Sequence, residues 1–331
     1  MQSKSSKVSS FIIRDYSIVL AILLAFAIFS VLNPRFARTY NVLSVLQHAS
    51  LLCIISTGLT LVLILDEFDL SFATLSSAAV CLSVNMVETH LPGFFAVAVA
   101  LGIGLLVGLI NGLLVAKLRM QSFIATLGTG TILTGLNYSV SGGKTIVVVG
   151  GLPPWFNFLG QESFFRISYL VPMMVIVVVV ASIFVRYTTL GRKMYGVGAN
   201  KEACRVVGVN VAATQIVAFV ACGFTAGLTG FLLASRLGGG HPLAGDEFLL
   251  QGFAAVFIGM TMKGGIPSIL GTFLGSIFLA EVGSGLTLVD VDYTYQYVVN
   301  GLIIVVFVCI AYVARNRLME RSAAAFATAK N

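Results

Sequence analysis

The chain has 331 residues, 58% of them hydrophobic and only 10% charged, with a mean hydropathy of +0.99. A chain so apolar cannot hide its surface inside a water-soluble core, and apolar runs of about eighteen or more residues recur along it, the pattern of membrane-crossing helices. The net charge of +7 fits basic flanks around membrane spans rather than nucleic-acid binding, and the alternating strands of a membrane barrel are absent from the pattern.

Lipid offers backbone groups no hydrogen-bonding partner, so the expected fold class is all-α, a polytopic integral membrane protein of about ten transmembrane helices. The apolar runs place spans over residues 16–32, 43–65, 70–88, 93–115, 122–140, 167–185, 213–235, 248–262, 266–286 and 295–313. The first follows Lys4, Lys7 and Arg14 and lacks a small-x-small cleavage site before Asn33-Pro34. It reads as a retained span rather than a signal peptide. The eighth is short for a crossing and reads as tilted, broken or partly re-entrant. No sizeable soluble stretch separates the spans, so residues 1–331 read as a single membrane domain.

With the N-terminus inside, fifteen of the twenty Lys and Arg residues fall on the inner side, among them Lys117, Arg119, Arg186, Arg192, Lys193, Lys201, Arg205, Lys263, Arg315, Arg317, Arg321 and Lys330. Arg35, Arg38, Lys144, Arg166 and Arg236 fall outside. Such a bias sets the orientation, and one span more or fewer would spoil it.

In chain order, the first chemical feature is LDEFDLSFAT, Leu65 to Thr74, with Asp66, Glu67 and Asp69 close together between the second and third spans. Asp69 or Ser71 can cap the third helix. Alternatively, the turn dips into the membrane and its carboxylates touch a substrate or hold one conformation. The fourth span carries Gly104, Gly108 and Gly112 on one helical face, the seventh Gly223 and Gly227, and the ninth Gly271 and Gly275. Such spacing serves close helix packing or a smooth translocation wall. The fifth span opens on Ser122, Phe123, Ile124, Ala125, Thr126, Leu127, Gly128 and Thr129. Its hydroxyls either offer a polar track to a polyol or bond their own backbone.

SGGKT, Ser141 to Thr145, lacks the upstream glycine of a phosphate-binding loop, since Tyr138 stands there. Cys53, Cys81, Cys204, Cys222 and Cys309 show neither a disulfide nor a metal spacing. His48, His90 and His241 stand apart without the companions that metal or hydrolytic chemistry needs.

The longest polar interval is TTLGRKMYGVGANKEACRVVGVN, Thr188 to Asn210. It reads as a Gly-rich turn, GVGAN, followed by a short helix from Lys201 to Val207. Asn200 is the expected N-cap, Glu202 lies near the positive end, and Gly208 closes the helix at C′. One physical use of a short capped helix between long apolar spans is as a rigid knob that docks into a groove on a soluble partner.

This run resembles the cytoplasmic coupling loop of ABC-importer permeases of the ribose-type simple-sugar class, T-x-x-G-R-x-x-Y-A-x-G-x-N-x-x-A-A-R-x-x-G-I-x-V. Thr188, Gly191, Arg192, Tyr195, Gly198, Asn200, Ala203, Arg205, Gly208 and Val211 fit, while Gly196 and Cys204 stand where alanines are usual. Asp69, Leu70 and Ser71 keep the core of the family's G-G-I-D-L-S-V-G, with Asp66 and Glu67 near its paired glycines. Phe123, Ile124, Thr126, Leu127 and Gly128 fit P-x-F-I-x-T-L-G, with Gln121 in the place of proline. Gly245, Ala254, Ala255, Val256, Gly259, Thr261, Gly264, Gly265, Gly271 and Thr272 follow a fourth pattern, altered around Asp246 and Glu247.

The resemblance implies a type II ABC-importer-like permease. Its coupling loop, about residues 186–212, would meet a cytoplasmic ABC ATPase through Gly191, Arg192, Asn200, Glu202, Ala203, Arg205 and Gly208. The implied translocation pathway runs by Asp69, Ser71, Phe123, Thr126, Gly128 and Thr129. Implied partners are a second permease subunit, identical or sister, a periplasmic or surface-tethered solute-binding protein, and membrane lipid. Nucleic acid is not among them. The setting would be the cytoplasmic (inner) membrane of a bacterium, with both termini inside. The implied activity is inward movement of a monosaccharide or related polyol, with ATP used by the partner ATPase and no cofactor or catalysis in this chain. Other readings stay open. Branched-chain amino-acid permeases share the architecture, and an ion-driven transporter would use a mid-span charge, for which Glu281 is the candidate. An intramembrane enzyme would need a nucleophile and its base.

Overall fold

The structure, a computed structural model, describes residues 17–89 and 93–328. Lys4, Lys7, Arg14, His90 and Lys330, used above, lie outside the described residues. Helices dominate the chain: α1 (Ser17–Leu32), α2 (Thr39–Ile64), α3 (Phe72–Glu88), α4 (Gly93–Ala116), α5 (Ser122–Ser141) and the short α6 (Pro154–Gln161). A small antiparallel hairpin, β1 (Ser163–Phe164) and β2 (Ile167–Ser168), leads into α7 (Leu170–Tyr187), α8 (Thr189–Ala199), α9 (Lys201–Val206) and α10 (Val211–Leu237). Then come α11 (Phe248–Met260), a 3-10 turn (Thr261–Lys263), α12 (Ile269–Leu288) and α13 (Tyr293–Thr328).

A helix covers each stretch expected to be a span. Among the described residues, α2, α4, α7, α10 and α12 are the five long and apolar enough to cross a membrane, which makes this a multi-pass membrane protein. Between α5 and α7, Pro153-Pro154 starts α6 and the hairpin follows. Two local expectations are corrected. The last helix does not stop near residue 313 but runs on to Thr328. And GVGAN is not a turn, since Gly196 and Gly198 lie inside α8.

The chain divides into two compact units. One is Ser50–Gly252; the other is formed by the described residues before 50 and after 252. In the second, α11 and α12 meet where glycine removes the side chain from both sides. A Cβ on Gly259 would overlap the backbone of Gly271, and one on Gly275 would overlap the carbonyl of Ala255. Phe29 of α1 fills the space beside Gly285, and the Ser284 hydroxyl donates to Asn41 Oδ1 at 2.9 Å.

In the Ser50–Gly252 unit, α10 is the central post. Its Gly223 and Gly227 face Gly104 and Ala100 of α4, while Gly108 and Gly112 of α4 lie against Phe219 and Ile216. A Cβ at Gly104 or Gly223 would overlap the other's carbonyl oxygen. These glycines therefore serve packing, the means by which helices associate where lipid removes the hydrophobic drive. The other faces of α4 and α7 present Leu106, Leu109, Ile176 and Val180 outward, as a surface bathed in lipid requires.

Candidate functional site

The site lies where α2 ends, α3, α5 and α10 begin, and the two short helices α8 and α9 pass. Thr188 starts α8, its hydroxyl accepting from the Gly191 amide at 3.0 Å. Gly191, Met194 and Val197 recur at three-residue spacing and form its buried face. Gly198 then lies directly against the end of α2, where a Cβ would overlap the Ile64 carbonyl oxygen. This close approach explains why a glycine-rich stretch is helical: tertiary packing outweighs its weak propensity.

Asn200 ends α8 and caps α9, its Oδ1 accepting from the Ala203 amide at 2.9 Å. Gly208 closes α9 at φ +81°, with its own amide on the Arg205 carbonyl at 3.0 Å and the Val209 amide on the Cys204 carbonyl at 2.9 Å. That pair of bonds is a Schellman closure. Glu202 and Arg205 pair across one turn on the exposed side. Among α9 residues none is buried, and Val206 and the adjoining Val207 are 87% and 76% exposed. Two open valines on a firmly capped helix form a small apolar knob, which the sequence pattern did not single out. Arg192 and Ala203 are likewise exposed, and Gly191 is buried.

The turn between α2 and α3 sits beside this knob. Asp66 takes a left-handed φ of +59°, with its amide on the Leu63 carbonyl at 3.1 Å and the Glu67 amide on Val62 at 3.3 Å. The tight turn thus survives without the paired glycines of the family pattern, because Asp tolerates the left-handed region better than most residues. Glu67 folds inward, 7% exposed, and its Oε1 accepts from Lys201 Nζ of α9 and from Gln215 Nε2 of α10, both at 2.6 Å.

Asp69 is buried, and its Oδ1 accepts from the Ser71 amide at 2.8 Å and the Ser71 hydroxyl at 2.7 Å. Burial pushes its carboxyl above the ordinary range, against the pull of those bonds. Of the two candidate caps for α3, Asp69 holds the amide, and the Ser71 side chain makes no capping bond. Asn111 Nδ2 of α4 donates to Ser71 Oγ at 2.8 Å, and Thr129 Oγ1 of α5 donates to Asn111 Oδ1 at 2.9 Å. The Leu70 amide donates to Thr126 Oγ1 at 3.0 Å, and the Phe68 amide to Ser122 Oγ at 3.1 Å. Asp69, Ser71, Thr126 and Thr129 are therefore brought into one polar lattice. Asn111 joins it unforeseen, and only its being a polar residue in an apolar run could have flagged it. Phe123 and Gly128 are exposed on another face of α5.

At the other end of this unit, α6 is pinned to α10 through the Ser235 hydroxyl, which donates to the Phe156 carbonyl at 2.6 Å and accepts from the Gly160 amide at 2.8 Å. A backbone bridge joins Ile146 to Gly240. Asp246 accepts from the Ser77 hydroxyl at 3.2 Å, and burial raises its carboxyl above the usual value, opposed by that bond and by the nearby His241. Among the described residues no His, Cys, Asp and Glu cluster could hold a metal ion.

Three relatives resemble the chain along most of its length. The ribose import permease protein of Haemophilus influenzae is 32% identical over 93% of this chain and 95% of its own. The ribose import permease protein of Escherichia coli K12 is 33% identical over 88% and 92%. The L-arabinose transport system permease protein of E. coli K12 is 31% identical over 88% of each. No solved structure matches the chain significantly. The family model described as branched-chain amino acid transport system / permease component matches residues 41–308, and the chain is a member of that permease family.

Proposed function

We propose that this chain is the membrane subunit of an ABC importer that moves a monosaccharide into the cytoplasm of a bacterium. It would work as a single permease domain of ten spans in the inner membrane, with both termini cytoplasmic. The relatives described above are named for sugar import, and this favours a sugar over the branched-chain amino acids of the family's description.

The observation that carries the coupling assignment is α9: capped at both ends, without a buried residue, and bearing Val206 and Val207 in the open. A cytoplasmic ATPase would take this knob in a groove, touching Ala203 and Arg205 with the valines. Gly191, Asn200 and Gly208 would set its geometry, with Arg192 and Glu202 at its margin. The orientation is supported by Lys117, Arg119, Arg192, Lys193, Lys201 and Arg205, which gather around the knob and the adjoining start of α5. Lys144, Arg166 and Arg236 belong to the opposite end, where Asp246 and Glu247 would face an arriving solute-binding protein. A second permease subunit would complete the pathway, ATP would act only on the ATPase, and closure of the ATPase pair would drive alternating access.

In this reading Asp69, Ser71, Thr126 and Thr129 form the hinge lattice of the pathway wall, with Phe123 and Gly128 on the face of α5 open to the pathway or the second subunit. The test is co-expression of the tagged chain with its ATPase and binding protein, followed by purification and competition for uptake. D-Ribose, L-arabinose or D-galactose should compete and L-leucine should not. Competition by leucine alone would replace the sugar reading with the amino-acid one.

A further inference from the structure

The Glu67 carboxylate joins three segments far apart in sequence: the α2–α3 turn that carries it, α9 through Lys201 and α10 through Gln215, each at 2.6 Å. Lys201 is the first residue of the exposed knob, and its side chain is 34% exposed against 9% for Glu67. The pair thus has one foot at the surface and one in the interior. From Glu67 the turn continues into the lattice of Asp69, Ser71, Asn111 and Thr129, with Leu70 held by Thr126. A chain of short polar contacts, continued through the turn itself, therefore leads from α9 to the start of α3, the C-terminal part of α4 and the first half of α5.

We propose that Glu67 is a positioning residue for energy coupling, the latch through which displacement of α9 is passed to the turn and on to α3, α4 and α5. This rests on α9 being the helix that meets the ATPase. Packing alone does not account for the arrangement. A carboxylate taken this far out of water is costly unless its partners hold it, and an apolar residue would fill the same space more cheaply. An ion pair between an exposed helix and a buried turn gives a connection with a defined length and direction, which apolar contact lacks.

The test uses the assembled complex in sealed vesicles with radiolabelled D-ribose, L-arabinose and D-galactose, and compares Glu67→Gln, Lys201→Met and the double variant. Both single changes nearly keep side-chain size, so ATPase co-purification should stay at the wild-type level. Glu67→Gln and the double variant should melt close to the wild type, whereas Lys201→Met leaves the Glu67 charge with Gln215 alone and should melt lower. Sugar moved per ATP hydrolysed should fall by about threefold or more in each, and no further in the double variant, because the two residues act as one link. A merely structural role would lower uptake and hydrolysis together and leave their ratio unchanged, which would overturn the proposal. Losses that multiply in the double variant, or loss of the ATPase from Lys201→Met alone, would overturn it as well. Absence of ATP-driven uptake in the unsubstituted complex would instead strike at the proposed function.

Discussion

Gly198 lies with its bare Cα against the carbonyl oxygen of Ile64, so that the last turn of α8 rests directly on the last turn of α2. The obstacle is backbone, which cannot swing aside. Gly198→Ala is expected to force the two helix ends apart and to destabilise the protein by about 1–3 kcal/mol, the usual cost of overpacking. A melting curve in detergent checks this; an unchanged midpoint would show that α8 is free to move.

Asp66 gives the opposite asymmetry. At φ +59° a glycine is at ease and a β-branched residue is not. Asp66→Val should melt below Asp66→Gly by about 1–2 kcal/mol, since both lose the carboxylate and only valine crowds its Cβ in the left-handed conformation.

Asn111 joins α4 to both Ser71 and Thr129 in a buried setting. Asn111→Leu leaves two hydroxyls without this partner and should cost about 1–3 kcal/mol. Restoring the amide one carbon further out, as Gln, should recover little, because the site is close-packed. Thermal denaturation of the purified variants separates these outcomes.

How much of this was legible in advance depends on how local each signal is. The caps of α9 could be read because Asn200, Ala203 and Gly208 act within a few residues of one another. The role of α8 could not. Its glycines argue for a turn until the end of α2, about 130 residues earlier in the chain, is known to press on Gly198. Gly104 and Gly223 each announced a close approach but not each other. Glu67, Lys201 and Gln215 carry no shared spacing, and only the fold unites them. The exposure of Val206 and Val207 was hidden too, since in sequence they are two more valines.

Those valines yield the test of the docking surface. Val206→Asp or Val207→Asp places a charge on the knob without touching any buried residue, so the permease should fold and melt as before. Capture of the ATPase by the tagged permease should fall at least about tenfold, equivalent to 1.4 kcal/mol. Ala203→Pro should do the same by breaking the short helix. Full capture and full uptake by these variants would reduce α9 to a connector.

In the proposed function, this chain moves solute only when an ATPase works on it from the cytoplasmic side. The most direct measurement is uptake of labelled sugar into sealed vesicles holding the chain alone or with its ATPase and binding protein, supplied with ATP or with an imposed ion gradient. Accumulation is expected only in the complete assembly, only with ATP on the side that carries α9, and none from an ion gradient. Accumulation by the chain alone under an ion gradient would contradict it.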